Sequence, residues 1–314
     1  MLSLYKYPNL VIALGAIIAL LLCVQFIIYP LLARTGLDLE LDKLDSRLRF
    51  WWTIVIGFLF GVVLGSKFLL LLIAFSCFLA LKEFLSITPS RRADRRVLFF
   101  AYLTLPLQFY WIWIGWYGMF IVFIPVYVFL FLPLPMTLLG ETKGFLRAFS
   151  LLNWIIMTAV FSLSHLGFLL VLPDSLNPVA GGIGLAFFLM LLVQVNDASQ
   201  FIFGSITRER KVIPKLSASR TWSGLISGLV LTVIVAALTA PFLTPFSPIE
   251  AIGLGILIAL TGLIGYIVFS AIKRDLDFED RGTMTPGHGG ILNRVDTLVY
   301  AAPLFFHITS YLYS

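Results

Sequence analysis

Residues 181–203 read GGIGLAFFLMLLVQVNDASQFIF. The stretch is long enough to cross a bilayer as a helix, which takes about 20 apolar residues, and residues 181–193 carry no charge. Its last third turns polar, with Gln194, Asn196, Asp197, Ser199 and Gln200. Helix positions three or four apart share a face, so Gln194 and Asp197, with Asn196 and Gln200 beside them, form one polar stripe. An ionisable group inside a span costs roughly 2.5–3.5 kcal/mol on insertion scales. A structural polar network would hold such an acid; a functional site at head-group depth explains it better.

The rest of the chain repeats the apolar pattern. Of 314 residues, 60% are hydrophobic and 12% charged, and the mean hydropathy is +1.00. A soluble domain is about half apolar and about a quarter charged, so this composition excludes one. The 29 Phe, and 24 Gly without a period, exclude disorder and collagen-like repeats. Cys23 and Cys77 lie inside apolar runs and suggest no disulfide or zinc framework. Ten spans are expected, at 9–31, 51–65, 67–87, 97–115, 118–139, 151–172, 181–203, 222–244, 250–272 and 297–313. The fold class is an all-α polytopic membrane protein with nine to ten transmembrane helices. The first span follows no charged segment beyond Lys6 and precedes no Ala-x-Ala site, so it is expected to be an anchor. Two portions are expected: residues 1–180, and residues 181–314 carrying the site.

Charge orients the chain. With 32–50, 88–96, 140–150, 204–221 and 273–296 on one side, every Lys and Arg falls there except Lys6, Lys67 and Lys82. The positive-inside rule makes that side cytoplasmic and both termini external, in a bacterial inner membrane. The net charge of +6 then reflects cytoplasmic loops and anionic lipid head groups, and no nucleic-acid partner is expected. Residues 34–49 space Leu37, Leu41, Leu44 and Leu48 as one face of an amphipathic cytoplasmic helix, expected to be a linker without chemistry. Glu83 beside Lys82 is explained by mutual pairing and snorkelling, and His165 by a neutral imidazole bonded to a neighbouring helix.

Two loops carry unusual chemistry. The first offers Arg208, Arg210, Lys211, Pro214, Lys215, Ser217, Ser219, Arg220 and Thr221, cations interleaved with hydroxyls that suit phosphate oxygens. Residues 270–296 hold five acids and four bases around Pro286-Gly-His288-Gly289-Gly290. A Gly-Gly turn lets backbone approach a ligand and offers N–H groups to an anion. Mixed acids and bases suit a place where a divalent metal meets phosphates; a solvated salt-bridged loop is the plainer alternative.

These residues resemble the phosphatidate cytidylyltransferase (CDP-diacylglycerol synthase) family. Ser270, Lys273, Arg274, Asp280, Pro286, His288, Gly289, Gly290, Arg294 and Asp296 stand in register with its C-terminal signature. Asp197, Gly204, Lys211, Pro214, Lys215, Ser217, Arg220, Thr221, Trp222 and Gly224 match its upstream block without a gap. Before residue 190 only hydropathy and span count are similar. The resemblance implies transfer of CMP from CTP to phosphatidate at a cytoplasmic site in the C-terminal half, with pyrophosphate leaving. It implies catalytic roles for Asp197, Asp280, Asp296, Lys273, Arg274 and His288. It implies nucleotide or phosphate binding by Lys211, Lys215, Ser217, Arg220, Thr221, Ser270, Gly289, Gly290 and Arg294. Mg²⁺ would be held by Asp197, Asp280 and Asp296. Membrane lipids are further partners, and a homodimer is left open.

The chain departs from the family at four points. Tyr266 and Asn293 stand where aspartates expected to help hold the metal belong, Arg220 replaces a lysine, and Glu279 replaces the lysine before Asp280. A non-catalytic or altered-substrate paralogue is therefore a second reading. A transporter is a third, disfavoured because no inverted repeat is evident and the acids cluster at the cytoplasmic end.

Overall fold

The computed structural model describes residues 7–34, 41–88, 97–138, 140, 142–207, 210–214, 220–275 and 290–313. It is an all-helical bundle. Each of the ten expected stretches holds a helix: α1 (Pro8–Leu31), α2 (Leu41–Leu64), α3 (Ser66–Ile87), α4 (Val97–Trp113), α5 (Tyr117–Thr137), α6 (Phe145–Leu169), α7 (Gly181–Thr207), α8 (Trp222–Leu243), α9 (Pro248–Asp275) and α10 (Leu292–Tyr313). Eight of these are long and apolar enough to cross a membrane, α4 is shorter, and α10 runs 22 residues. The chain is an integral membrane protein.

Boundaries shift where local chemistry outweighs hydropathy. The amphipathic segment expected at 34–49 is not a separate linker in its described part. It begins at Leu41 and runs on into the second span as α2, because no proline interrupts the chain there. Leu44 and Leu48 of its apolar face are buried in the bundle. α4 stops at Trp113, where Gly115 takes φ 72°. α6 starts at Phe145, inside the expected loop. α10 opens at Leu292, so Arg294 and Asp296 sit in its first turns rather than in a loop. One turn of α5, Phe123–Val128, widens around Pro125, whose missing N–H cannot continue the regular ladder.

α7 is the central helix: most of its side chains are buried, whereas in the first two-thirds of α1, Pro8–Cys23, only Leu10, Leu14 and Leu21 are. The outer helices turn Ile12, Phe26, Phe99, Leu130, Ile226 and Leu238 outward, as a lipid-facing belt requires. Rings cross the boundary at residue 180. Phe58 packs on Phe187 with centroids 5.0 Å apart, and Phe84 on Phe269 at 5.9 Å. His165 is buried, with Nδ1 2.9 Å from the carbonyl of Phe161 in its own helix rather than on a neighbour.

α7 and α8 approach closely through small residues, as helices do when apolar burial gives no preference over lipid. A Cβ on Gly224 would lie 2.7 Å from the main-chain oxygen of Gln200. That atom cannot move without bending α7. Gly224→Ala is therefore expected to destabilise the bundle by about 1–3 kcal/mol. Gly253→Ala, where a Cβ meets nothing within 4 Å, should be neutral or stabilising by up to about 1 kcal/mol. Thermal unfolding of both variants in detergent checks the contrast.

Candidate functional site

The polar end of α7 divides between two neighbours. Toward α2, Gln194 Oε1 accepts a hydrogen bond from Trp51 Nε1 at 3.1 Å, and Asp197 is ion-paired with Arg47. Toward α8 and α9, Gln200 Nε2 donates to Asn196 Oδ1 at 3.0 Å. These two amides lie where any side chain on Gly228 would intrude. The single stripe expected from spacing is thus two: an amide pair that packs helices, and a carboxylate facing the amphipathic helix.

Asp197 is the hub. One oxygen pairs with Arg47 and the other accepts from Arg220 Nη2 at 2.7 Å. The Arg47, Asp197 and Arg220 side chains are only 18%, 23% and 14% exposed, so water screens them weakly. The guanidinium of Arg47 also stands 4.5 Å from the Phe201 ring centre, one turn along α7. Arg220 reaches the hub because a short antiparallel clip folds its segment back. Val212 N donates to Arg220 O at 3.0 Å and Trp222 N to Arg210 O at 3.3 Å. Lys211 stands opposite Thr221 in that clip. The Thr221 hydroxyl, expected to contact phosphate, is engaged as the cap of α8, accepting from Gly224 N at 3.2 Å. Burial works against the charge of Arg220, yet Asp197 beside it, with Asp296 adding, raises its pKa above the ordinary guanidinium value.

Tyr266 of α9 explains its own presence. Arg220 lies 4.5 Å from the centre of its ring, a cation–π contact in place of the acid expected there. Gly265, the residue before it, abuts the Asp296 carbonyl where α9 crosses α10. Asp296 is buried, and its Oδ1 accepts from Thr297 N at 2.7 Å. It is near enough to Asp197, Arg220 and Lys273 for their charges to act on it. Arg294, two residues earlier on α10, reaches α2: its Nη2 donates to Ser46 Oγ at 2.6 Å and its guanidinium lies 5.2 Å from the Phe50 ring centre.

Spacing alone missed two residues here. Arg47 sits on the helix expected to carry no chemistry. Glu83, expected to pair with Lys82, is instead buried, and its Oε2 accepts from Leu292 N at 3.3 Å at the start of α10. Gly290 is pressed against the same carboxylate and leaves no room for a Cβ. The described acceptor at this helix start is thus the protein's own carboxylate. Ser270 and Lys273 are half-buried and Arg274 exposed at the end of α9. Lys215, Ser217, Asp280, His288, Gly289 and the Asn293 side chain lie outside the described residues.

The described residues do not fit a divalent ion. Both Asp197 oxygens are held by guanidinium groups, Asp296 accepts a main-chain N–H, and Tyr266 stands where an acid is expected. Among the described residues no three of His, Cys, Asp and Glu gather as a metal site.

Residues 45–312 match the family described as "Cytidylyltransferase family". The chain belongs to that family. It is 37% identical over 288 residues to "Uncharacterized protein YnbB" of Escherichia coli (strain K12), covering 91% of this chain and 92% of that protein. It is 32% identical over 136 residues to a "Phosphatidate cytidylyltransferase" of Mycobacterium bovis (strain ATCC BAA-935 / AF2122/97), covering 43% of this chain and 42% of the relative. A protein of the same name from Bacillus subtilis (strain 168) is 28% identical over 130 residues, covering 40% of this chain and 48% of the relative. The match thus spans less than half the length of these two named enzymes.

Glu83→Ala should leave donors at the start of α10 unpaired and cost about 1–3 kcal/mol in thermal unfolding. Lys82→Ala should stay within about 0.5 kcal/mol. Equal losses would restore the Lys82–Glu83 pairing.

Proposed function

We propose that the chain is a CTP:phosphatidate cytidylyltransferase, making CDP-diacylglycerol and pyrophosphate in phospholipid biosynthesis. One observation carries the reading. Asp197, Arg220 and Asp296, drawn from the two sequence blocks that match the family, converge from α7, the clip before α8, and α10. Two of the relatives reported above add the substrate class, since they are called phosphatidate cytidylyltransferases. The excess of basic residues in the loops on this side supports a cytoplasmic site in the inner membrane, with both termini outside.

In this reading the lipid phosphate attacks the α-phosphorus of CTP in line, and the bond to pyrophosphate breaks. Such a transfer needs positioning and charge neutralisation more than covalent help. Arg220, kept charged by Asp197, neutralises a phosphoryl oxygen. Lys211 and Lys215 of the same segment, with Ser217, hold the triphosphate. Ser270, Lys273 and Arg274 at the end of α9, with His288, Gly289 and Arg294, hold phosphate at the lipid surface. Asp296 is the buried acid whose charge acts on Arg220, and Asp280 is a second catalytic acid by the same resemblance. The Tyr266–Arg220 contact favours the second reading, a paralogue that binds phospholipid or nucleotide without transferring CMP.

Purified protein in phosphatidate-containing nanodiscs with radiolabelled CTP and Mg²⁺ should form a lipid-soluble labelled product. Asp296→Asn should lower kcat/KM by about 100-fold or more if the carboxylate acts in the transition state. Retained CTP binding with no labelled lipid would select the second reading.

A further inference from the structure

The charge count at the hub is uneven. Arg47, Arg220 and Arg294 face one another across Asp197 and Asp296, and Arg294 feels both acids together with the like charge of Arg47. Lys273 acts on Asp296 and also on Glu83, and stands outside this count of guanidinium groups. Among the described residues, three guanidinium groups therefore meet two carboxylates in a weakly screened place. Arg47 and Arg294 would repel each other there without a further anion.

The geometry suits a specific anion. Arg47 and Arg220 grip the two oxygens of one carboxylate from two separate segments, α2 and the clip before α8. That is how forked guanidinium groups grip two oxygens of a phosphoryl group. Arg294 and Ser46 lie beside them, joined by a 2.6 Å hydrogen bond, and Ser46 adjoins Arg47 on α2. Phe201 under Arg47, Tyr266 under Arg220 and Phe50 under Arg294 hold each guanidinium plane against a ring. Three stacked, paired arginines lose little further freedom when a ligand arrives.

We infer that Arg47 is a phosphoryl-binding residue of this chain, and that the Asp197 carboxylate is the internal anion which a ligand's phosphoryl group displaces from it. The N-terminal helix α2 thereby completes a phosphoryl site that the matched sequence blocks leave open. Direct guanidinium neutralisation also accounts for a site in which Asp197 is held by two arginines and Asp296 by a main-chain N–H. The inference rests on the reading above only in placing a phosphoryl compound at this end of the bundle.

Two variants of one ion pair give opposite signs if this is correct. Full-length protein in nanodiscs, washed with EDTA, is titrated with pyrophosphate in one arm. In the other it is assembled with increasing phosphatidate against a phosphatidylcholine background, and stabilisation is followed by thermal unfolding. Arg47→Gln should weaken the response in at least one arm by about tenfold or more, and Arg47→Lys should give a smaller loss. Asp197→Asn, which removes the internal competitor, should strengthen the same arm severalfold. A loss confined to pyrophosphate assigns Arg47 to the soluble phosphate, and a loss confined to phosphatidate assigns it to the lipid head group.

Unchanged affinity in both arms for Arg47→Gln overturns the inference, and so does weakening by Asp197→Asn, since a merely structural pair suffers from either loss. If Arg47→Gln does not fold, Asp197→Asn decides alone: tightening supports the inference and its absence overturns it. Arg47-dependent pyrophosphate binding in a chain that never forms labelled lipid would retire the transferase reading and leave this site standing.

Discussion

A carboxylate near the membrane must be paired, and Asp197 is paired twice. The bridge Arg47–Asp197–Arg220 ties α2 to α7 and α7 to the clip that leads into α8. Tyr266 then brings α9 against Arg220, and Gly265 lets α10 approach until Asp296 joins the same field. Removing one partner would leave a charge buried without compensation, which costs far more than a surface ion pair contributes. The helices at this end of the bundle are thus held by one electrostatic requirement as much as by their apolar faces.

Glu83 imposes a second constraint of the same kind. It lies on α3, far from α10 in sequence, yet it supplies the acceptor for the start of α10 and fills the space beside Gly290. A helix start favours a negative charge through its free N–H groups and its dipole. Here the acceptor is a side chain of the protein itself. The first turns of α10 carry both Arg294 and Asp296, so the orientation of these two side chains depends on an acid contributed by the N-terminal portion.

The spans were legible because bilayer thickness sets a length that a run of apolar residues either meets or does not. The polar end of α7 was legible for the same reason: Gln194 and Asp197 interrupt an otherwise apolar segment. What those side chains touch was not legible. The partners Arg47 and Asp197 are 150 positions apart, and a contact at that separation leaves no local pattern. The amphipathic spacing of Leu41, Leu44 and Leu48 identified the buried face of α2 while saying nothing about the edge that Ser46 and Arg47 occupy. Glu83 was misread for a geometric reason: adjacent helix residues point about 100° apart, so Lys82 is a poor partner for it. The Gly-Gly turn suggested a close approach by an anion, and nothing in its sequence signalled that the Glu83 carboxylate lies against Gly290.

Two of the departures from the family pattern, Tyr266 and Arg220, form one physical change. Putting Tyr at 266 removes a negative charge and supplies a ring, and the ring lies under Arg220. A lysine at 220 would present a compact, strongly hydrated charge, whereas an arginine offers a flat face for the ring and a fork for Asp197 at once. The two replacements therefore fit each other: Tyr266 gives the guanidinium a surface, and the guanidinium gives Tyr266 a reason to be inside. With fewer acids and an arginine brought in on α2, the described site carries a surplus of positive charge. A phosphoryl oxygen satisfies that surplus directly.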